Sequence, residues 1–92
     1  MALILIDNGT ATGPSKIYPG GQGLFTAEGN FNGCTVSLQF QSMNGSWFDA
    51  GVDTDLTANG MGRFFLPSGA IRANVTGGTP SGLYVHVEQI ST

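Results

Sequence analysis

Apolar and polar residues alternate along most of this chain, the spacing of half-buried strands, and no stretch carries a helical period. The clearest run is Cys34 to Gln41. Cys34, Val36, Leu38 and Phe40 share one face, and Thr35, Ser37, Gln39 and Gln41 the other. Ala70–Thr76 alternates in the same way, with Ile71, Ala73 and Val75 opposed to Arg72, Asn74 and Thr76. Leu83, Val85 and Val87 face inward in a third run, leaving Tyr84, His86 and Glu88 outward. Phe25, Ala27 and Phe31 mark a fourth, interrupted near Gly29-Asn30. Met61–Leu66 sets Phe64 and Leu66 against Arg63 and Phe65, and Ser46–Val52 is a shorter run containing Trp47 and Phe48.

Turn residues separate the runs: Gly29-Asn30, Asn32-Gly33, Asn44-Gly45, Asn59-Gly60, Pro67-Ser68-Gly69 and the stretch Gly77 to Gly82. Asn-Gly supplies the positive φ that tight hairpins require, so hairpins are predicted at Asn44-Gly45 and Asn59-Gly60. The fold class is therefore all-β: a single small antiparallel β-sandwich or jelly-roll-like barrel. Residues 1–22 read differently. A strand, Ala2–Ile6, is followed by loop composition at Asp7–Ser15 and again at Tyr18–Gly23. They are assigned as an N-terminal strand and connecting loop, an arm, preceding a sandwich over 23–92. That strand either completes its own sheet or pairs with a neighbouring subunit.

Composition narrows the function. With 92 residues there is one domain, and 15 glycines accompany only 10% charged residues, against about 25% in ordinary globular chains. Three basic residues against six acidic ones, a net charge of -3, exclude generic nucleic-acid binding and a polybasic membrane patch. One cysteine and one histidine exclude a disulfide framework and multi-Cys or His-rich metal sites. No apolar run approaches the roughly 20 residues of a membrane span. Ala2–Ile6 is too short for a signal sequence and lacks a positive flank, so use without secretion is expected. The Asn-x-Ser/Thr triplets at Asn8, Asn44 and Asn74 then read as turn and strand polars. A chain this small and weakly charged suits oligomerisation.

Candidate chemistry is sparse. Asp49, Asp53 and Asp55 form the one acidic cluster. As an EF-hand loop starting at Asp53 it fails, with Ala58 at the glycine position and Phe64 at the glutamate position. A solvated loop with turn-capping carboxylates is the expected reading. His86 is the one candidate general base, mid-strand and outward, and no serine sits in a nucleophile elbow. Cys34 falls at a core position. Gly20-Gly21-Gln22-Gly23 matches no phosphate-loop pattern and reads as a flexible entry to a strand. Trp47, Phe48, Tyr18 and Tyr84 could together form a sugar-stacking platform. Arg63 and Arg72 are scarce cations, each expected to meet a carboxylate, across a subunit boundary if not within the chain. No cofactor, metal or catalytic residue is assigned, and an enzyme is not expected.

One resemblance emerges between Leu24 and Val87. Gly29-x-Phe31-x-Gly33-x-Thr35-Val36-x-Leu38-Gln39 is followed by Gly45-x-Trp47, Leu56-Thr57-Ala58-x-Gly60, Pro67-x-Gly69-x-Ile71-Arg72-Ala73 and Pro80-Ser81-Gly82-Leu83. This pattern resembles the small β-sandwich head-decoration, or cement, proteins of tailed bacteriophages. It is made of strand polarity and turn residues, and residues 1–22 fall outside it. The resemblance implies a virion structural protein on the outer capsid surface, bound to the major capsid protein as a homo-oligomer, with a trimer suiting local three-fold positions. Leu3, Ile4, Leu5, Ile6, Trp47, Arg63 and Arg72 are the expected interface residues. The alternatives are a tail, connector or fibre-associated module, and a small carbohydrate-binding sandwich with a surface glycan as partner.

Overall fold

A computed structural model describes residues 2–91. Met1 and Thr92, the outermost residues of the two expected segments, lie outside the described residues. The strands are β1 (Ala2–Gly9), β2 (Lys16–Tyr18), β3 (Gly21–Asn30), β4 (Thr35–Gln41), β5 (Trp47–Asp49), β6 (Asp55–Leu56), β7 (Gly60–Leu66), β8 (Gly69–Thr76) and β9 (Ser81–Ser91). A single 3₁₀ turn, Val52–Thr54, separates β5 from β6. One sheet has the order β1-β9-β3-β7. The other has β2-β8-β4-β5, with β6 also on β4. Every pairing is antiparallel.

β5 and β6 lie end to end along one edge of β4, against Gln39–Gln41 and Val36–Ser37 respectively, so each sheet is four strands wide. Successive strands cross from sheet to sheet, except around the β4–β5 hairpin and the broken strand that follows it. That order is the jelly roll, the all-β sandwich the alternation predicts.

The two inner faces supply the core: Phe25 and Ala27 of β3 and Leu83, Val85 and Val87 of β9 meet Val36 and Leu38 of β4 and Ile71 and Ala73 of β8. These are the inward residues of the alternating runs. Tyr18, Phe64, Leu5 and Ile6 close the core at its margins. The Asn44-Gly45 hairpin forms as predicted. Gly45 N–H donates to Ser42 O (3.0 Å), and Gly45 takes φ 89°, a conformation that favours glycine.

Three expectations change. Asn59-Gly60 is not a hairpin, because β6 belongs to one sheet and β7 to the other. Asn59 Oδ1 instead accepts from Gly29 N–H (2.9 Å), fastening this crossover to the end of β3. The expected loops at Asp7–Ser15 and Tyr18–Gly23 carry strand. β1 runs on to Gly9 through two register irregularities, β2 pairs Lys16–Tyr18 with Gly69–Ile71, and β3 begins at Gly21. Polar and glycine residues are tolerated there because backbone ladders hold these segments, with Tyr18 anchoring β2 in the core. Finally, the boundary expected after residue 22 falls inside β3. Of the two alternatives for the N-terminal strand, β1 takes the first and pairs with β9 of its own chain. Between β1 and β2, Gly13 lies against the Leu5 backbone and donates to Ala73 O (3.2 Å).

Candidate functional site

The outer face of the β2-β8-β4-β5 sheet is built by the polar parity of its strands. Cross-strand register sets Arg72 beside Gln39 and Gln39 beside Asp49. The next row is Asn74, Ser37 and Asp55. Trp47 stands opposite Gln41 at the end of the face. Arg72 reaches across β4: its Nε donates to Gln39 Oε1 (2.8 Å), and its guanidinium lies 4.3 Å from the Trp47 ring centroid. Thus Arg72 meets an amide and an aromatic face rather than a carboxylate. The planar guanidinium suits both partners, and the stacking holds the indole on the sheet surface. Trp47 is half-buried and outside the core cluster.

The acidic groups divide. Asp49 Oδ1 accepts from Gly51 N–H (2.9 Å), a turn-capping role of the kind expected, and Asp53 is exposed on the 3₁₀ turn. Asp55 is half-buried beside Ser37 and Asp49, and its Oδ1 is buried with no hydrogen-bond partner. Burial pushes its pKa above the ordinary carboxylate value. The neighbouring Asp49 carboxyl adds to the rise, and Ser37 opposes it. Ser37, outward by parity, is itself buried, with Asp55 of β6 paired beside it. Among the described residues no three or more His, Cys, Asp or Glu side chains converge.

The expected aromatic platform does not assemble. Tyr18 is buried, its hydroxyl donating to Gly21 O (3.0 Å) and its ring edge-on to Phe64 at 5.2 Å. Tyr84 lies on the other sheet, and Phe48, on the opposite parity from Trp47, is exposed past the end of the core. Gly23 of the Gly20–Gly23 stretch is buried where a Cβ would stand 2.6 Å from Phe64 Cζ and 2.9 Å from the Tyr18 hydroxyl, so it serves the core. Cys34 is buried, as expected, and desolvation raises its thiol pKa.

The remaining expected interface residues belong to the β1-β9-β3-β7 sheet. β1 is an outer strand of that sheet. Leu5 and Ile6 are core residues, Leu3 packs partly against the core, and Ile4 is 58% exposed. The irregularity between Ile4 and Ile6 accounts for Leu5 and Ile6 both turning inward. Arg63 is exposed on β7, and His86 is half-buried on the outer parity of β9. The structure therefore unites Trp47 with Arg72 on one face and places Arg63 and Ile4 on the other. Sequence reasoning missed Gln39 and Asp55 as members of the Trp47 face. The outward parity of β4 signals Gln39. Nothing signals Asp55, because the two-residue β6 has no period to read. No family model, curated protein or solved structure matches the chain.

Proposed function

We propose that this chain is a non-enzymatic structural protein of a tailed-bacteriophage virion, binding the outer surface of the assembled capsid as a homo-oligomer. The observation that supports the reading is the outer strand β1, whose Ile4 is exposed while Leu5 and Ile6 anchor the same strand in the core. An anchored edge strand offers backbone donors and acceptors at fixed spacing to an extended segment of a capsid subunit, and Ile4 adds apolar contact. Many copies on a symmetric shell multiply a weak contact into firm attachment. The residues that carry the resemblance support it in a second way. They occupy the turns and core of a jelly roll, an architecture common among virion components, although fold alone does not assign function.

Quantitative peptide mass spectrometry on purified virions tests this. Trypsin releases the segment following Arg63 up to Arg72, and the segment after it. Abundance comparable to the major capsid protein is the expected result. A trace, reproducible amount moves the chain to the tail or connector, and absence overturns the reading.

A second reading, carbohydrate binding, is favoured by one arrangement: Trp47 held flat by Arg72 beside the amides of Gln39 and Gln41. Stacking with in-plane hydrogen bonding is what a sugar ring requires. Titrating a glycan panel against Trp47 fluorescence checks it, and silence across the panel removes it.

A further inference from the structure

We infer that the outer face of the β1-β9-β3-β7 sheet is a two-fold interface between copies of this chain. The register places two outward rows across this sheet. One is Ala2, Glu88, Leu24 and Arg63; the other is Ile4, His86, Thr26 and Met61. Towards the ends of the face stand Tyr84, Ile90 and Phe65, which with Ile4 and Met61 are 44–75% exposed. An apolar surface of this extent is out of proportion in a chain that exposes so few charges.

Charge chooses the occupant. On β9 and β7, Glu88 and Arg63 flank Leu24 of the strand between them, so opposite charges stand on either side of an apolar centre. A two-fold axis parallel to the strands and passing over β3 sets Leu24 on Leu24 of the second copy. It also brings each Glu88 over the second copy's Arg63. Shifting the axis one strand aside, onto β9 or β7, would instead set Glu88 on Glu88 or Arg63 on Arg63, opposing like charges across the contact. The face is therefore self-complementary in one register. An isologous contact of this kind closes at two copies.

Area sets the strength. With the axis over β3, the strands β9, β3 and β7 of the two copies overlap and β1 lies outside the contact. Three strands about 4.8 Å apart and about seven residues long give a footprint of roughly 14 by 23 Å. With side-chain relief, two copies bury on the order of 700 Å², the size of a weak, transient pair rather than a stable one. The dimer is thus weak and reversible, populated at high protein concentration. The sequence expectation of three copies rested on capsid symmetry, whereas the two-fold rests on the residues of this face. It holds whether or not the chain is found in virions.

Sedimentation velocity from 1 to 500 µM tests it on the full chain, with Glu88→Arg, Arg63→Glu and the double exchange. Both side chains are exposed, so the fold survives, as circular dichroism will verify. The expected result is a monomer–dimer equilibrium that each single change weakens about tenfold or more and the double exchange restores to within about threefold. A monomer throughout, a trimer, or a double variant no better than the singles would each overturn the inference.

Discussion

Replacing Gly62 with alanine tests how the two sheets are locked at the β7 edge. Gly62 lies in β7 directly under the 3₁₀ turn. A Cβ there would overlap the Asp53 carbonyl oxygen and stand 2.6 Å from its carbonyl carbon. The obstacle is backbone, so no rotamer change relieves it, and the turn must lift by about an ångström. Overpacking of this kind costs about 1–3 kcal/mol, and a backbone clash places Gly62→Ala at the upper end, about 3 kcal/mol. Gly60, two residues earlier on the same strand, is the control. A Cβ there meets only Ala58 O at 3.8 Å and Leu56 Cδ2 at 3.9 Å. Its φ is not positive, so Gly60→Ala is neutral or stabilises by about 0.4–1 kcal/mol through the unfolded chain. For a domain of this size, about 1 kcal/mol shifts Tm by about 4–8 °C. Gly62→Ala should lower Tm by roughly 12–24 °C, and Gly60→Ala should leave it unchanged or raise it by a few degrees. Urea unfolding followed by Trp47 fluorescence, with calorimetry, gives both numbers. If the two variants fall within about 1 kcal/mol of each other, the packing of the 3₁₀ turn on β7 described above is wrong.

The neighbours Leu5 and Ile4 should respond oppositely: Leu5→Ala costs about 2–5 kcal/mol because it empties core volume, whereas Ile4→Ser changes unfolding free energy by under about 0.5 kcal/mol. Equal effects would remove β1 from the sandwich. Asp55 holds its proton in the folded chain at pH values where the unfolded chain, near 3.8, has lost it. Its contribution to stability is therefore greatest in acid and is lost as pH rises from about 3.8 through the raised folded value. Asp55→Asn should flatten the Tm-against-pH curve over that window and raise Tm at pH 7, and parallel curves would contradict the assignment. The Cys34 thiol should react with a disulfide reagent no faster than the protein unfolds, since burial both hides it and disfavours its thiolate. Rapid labelling of the native chain would refute its burial.

The strands readable in the sequence were those with enough residues to show a period. Cys34–Gln41, Ala70–Thr76 and Leu83–Glu88 became β4, β8 and most of β9 with their inner and outer faces as read. β2 and β6, at three and two residues, are too short to alternate, and only pairing with β8 and β4 makes them strands. The Asn59-Gly60 dipeptide carried a correct turn signal but no information about which sheet each flank would join. The Trp47–Arg72 contact spans three strands, so it depends on two registers at once, and neither residue type announces it. Deleting residues 1–7 is for the same reason no test of capsid contact, since Leu5 and Ile6 would leave the core with the strand.

The pairing of β1 with β9 has a consequence for how the chain comes into being. Ala2 finds its partner at Glu88, nearly the whole length of the polypeptide away. During synthesis the apolar segment Ala2–Ile6 is made before the strand that will cover it, and the seven strands β2 to β8 are made in between. Of the pairings among the described residues, only the β4–β5 hairpin closes over a short loop. Loop-closure entropy must be met before the distant contacts repay it, which puts folding in the millisecond-to-second range typical of non-local β architectures. In that interval the same residues that secure the finished sandwich are the ones most exposed to premature pairing with another nascent chain.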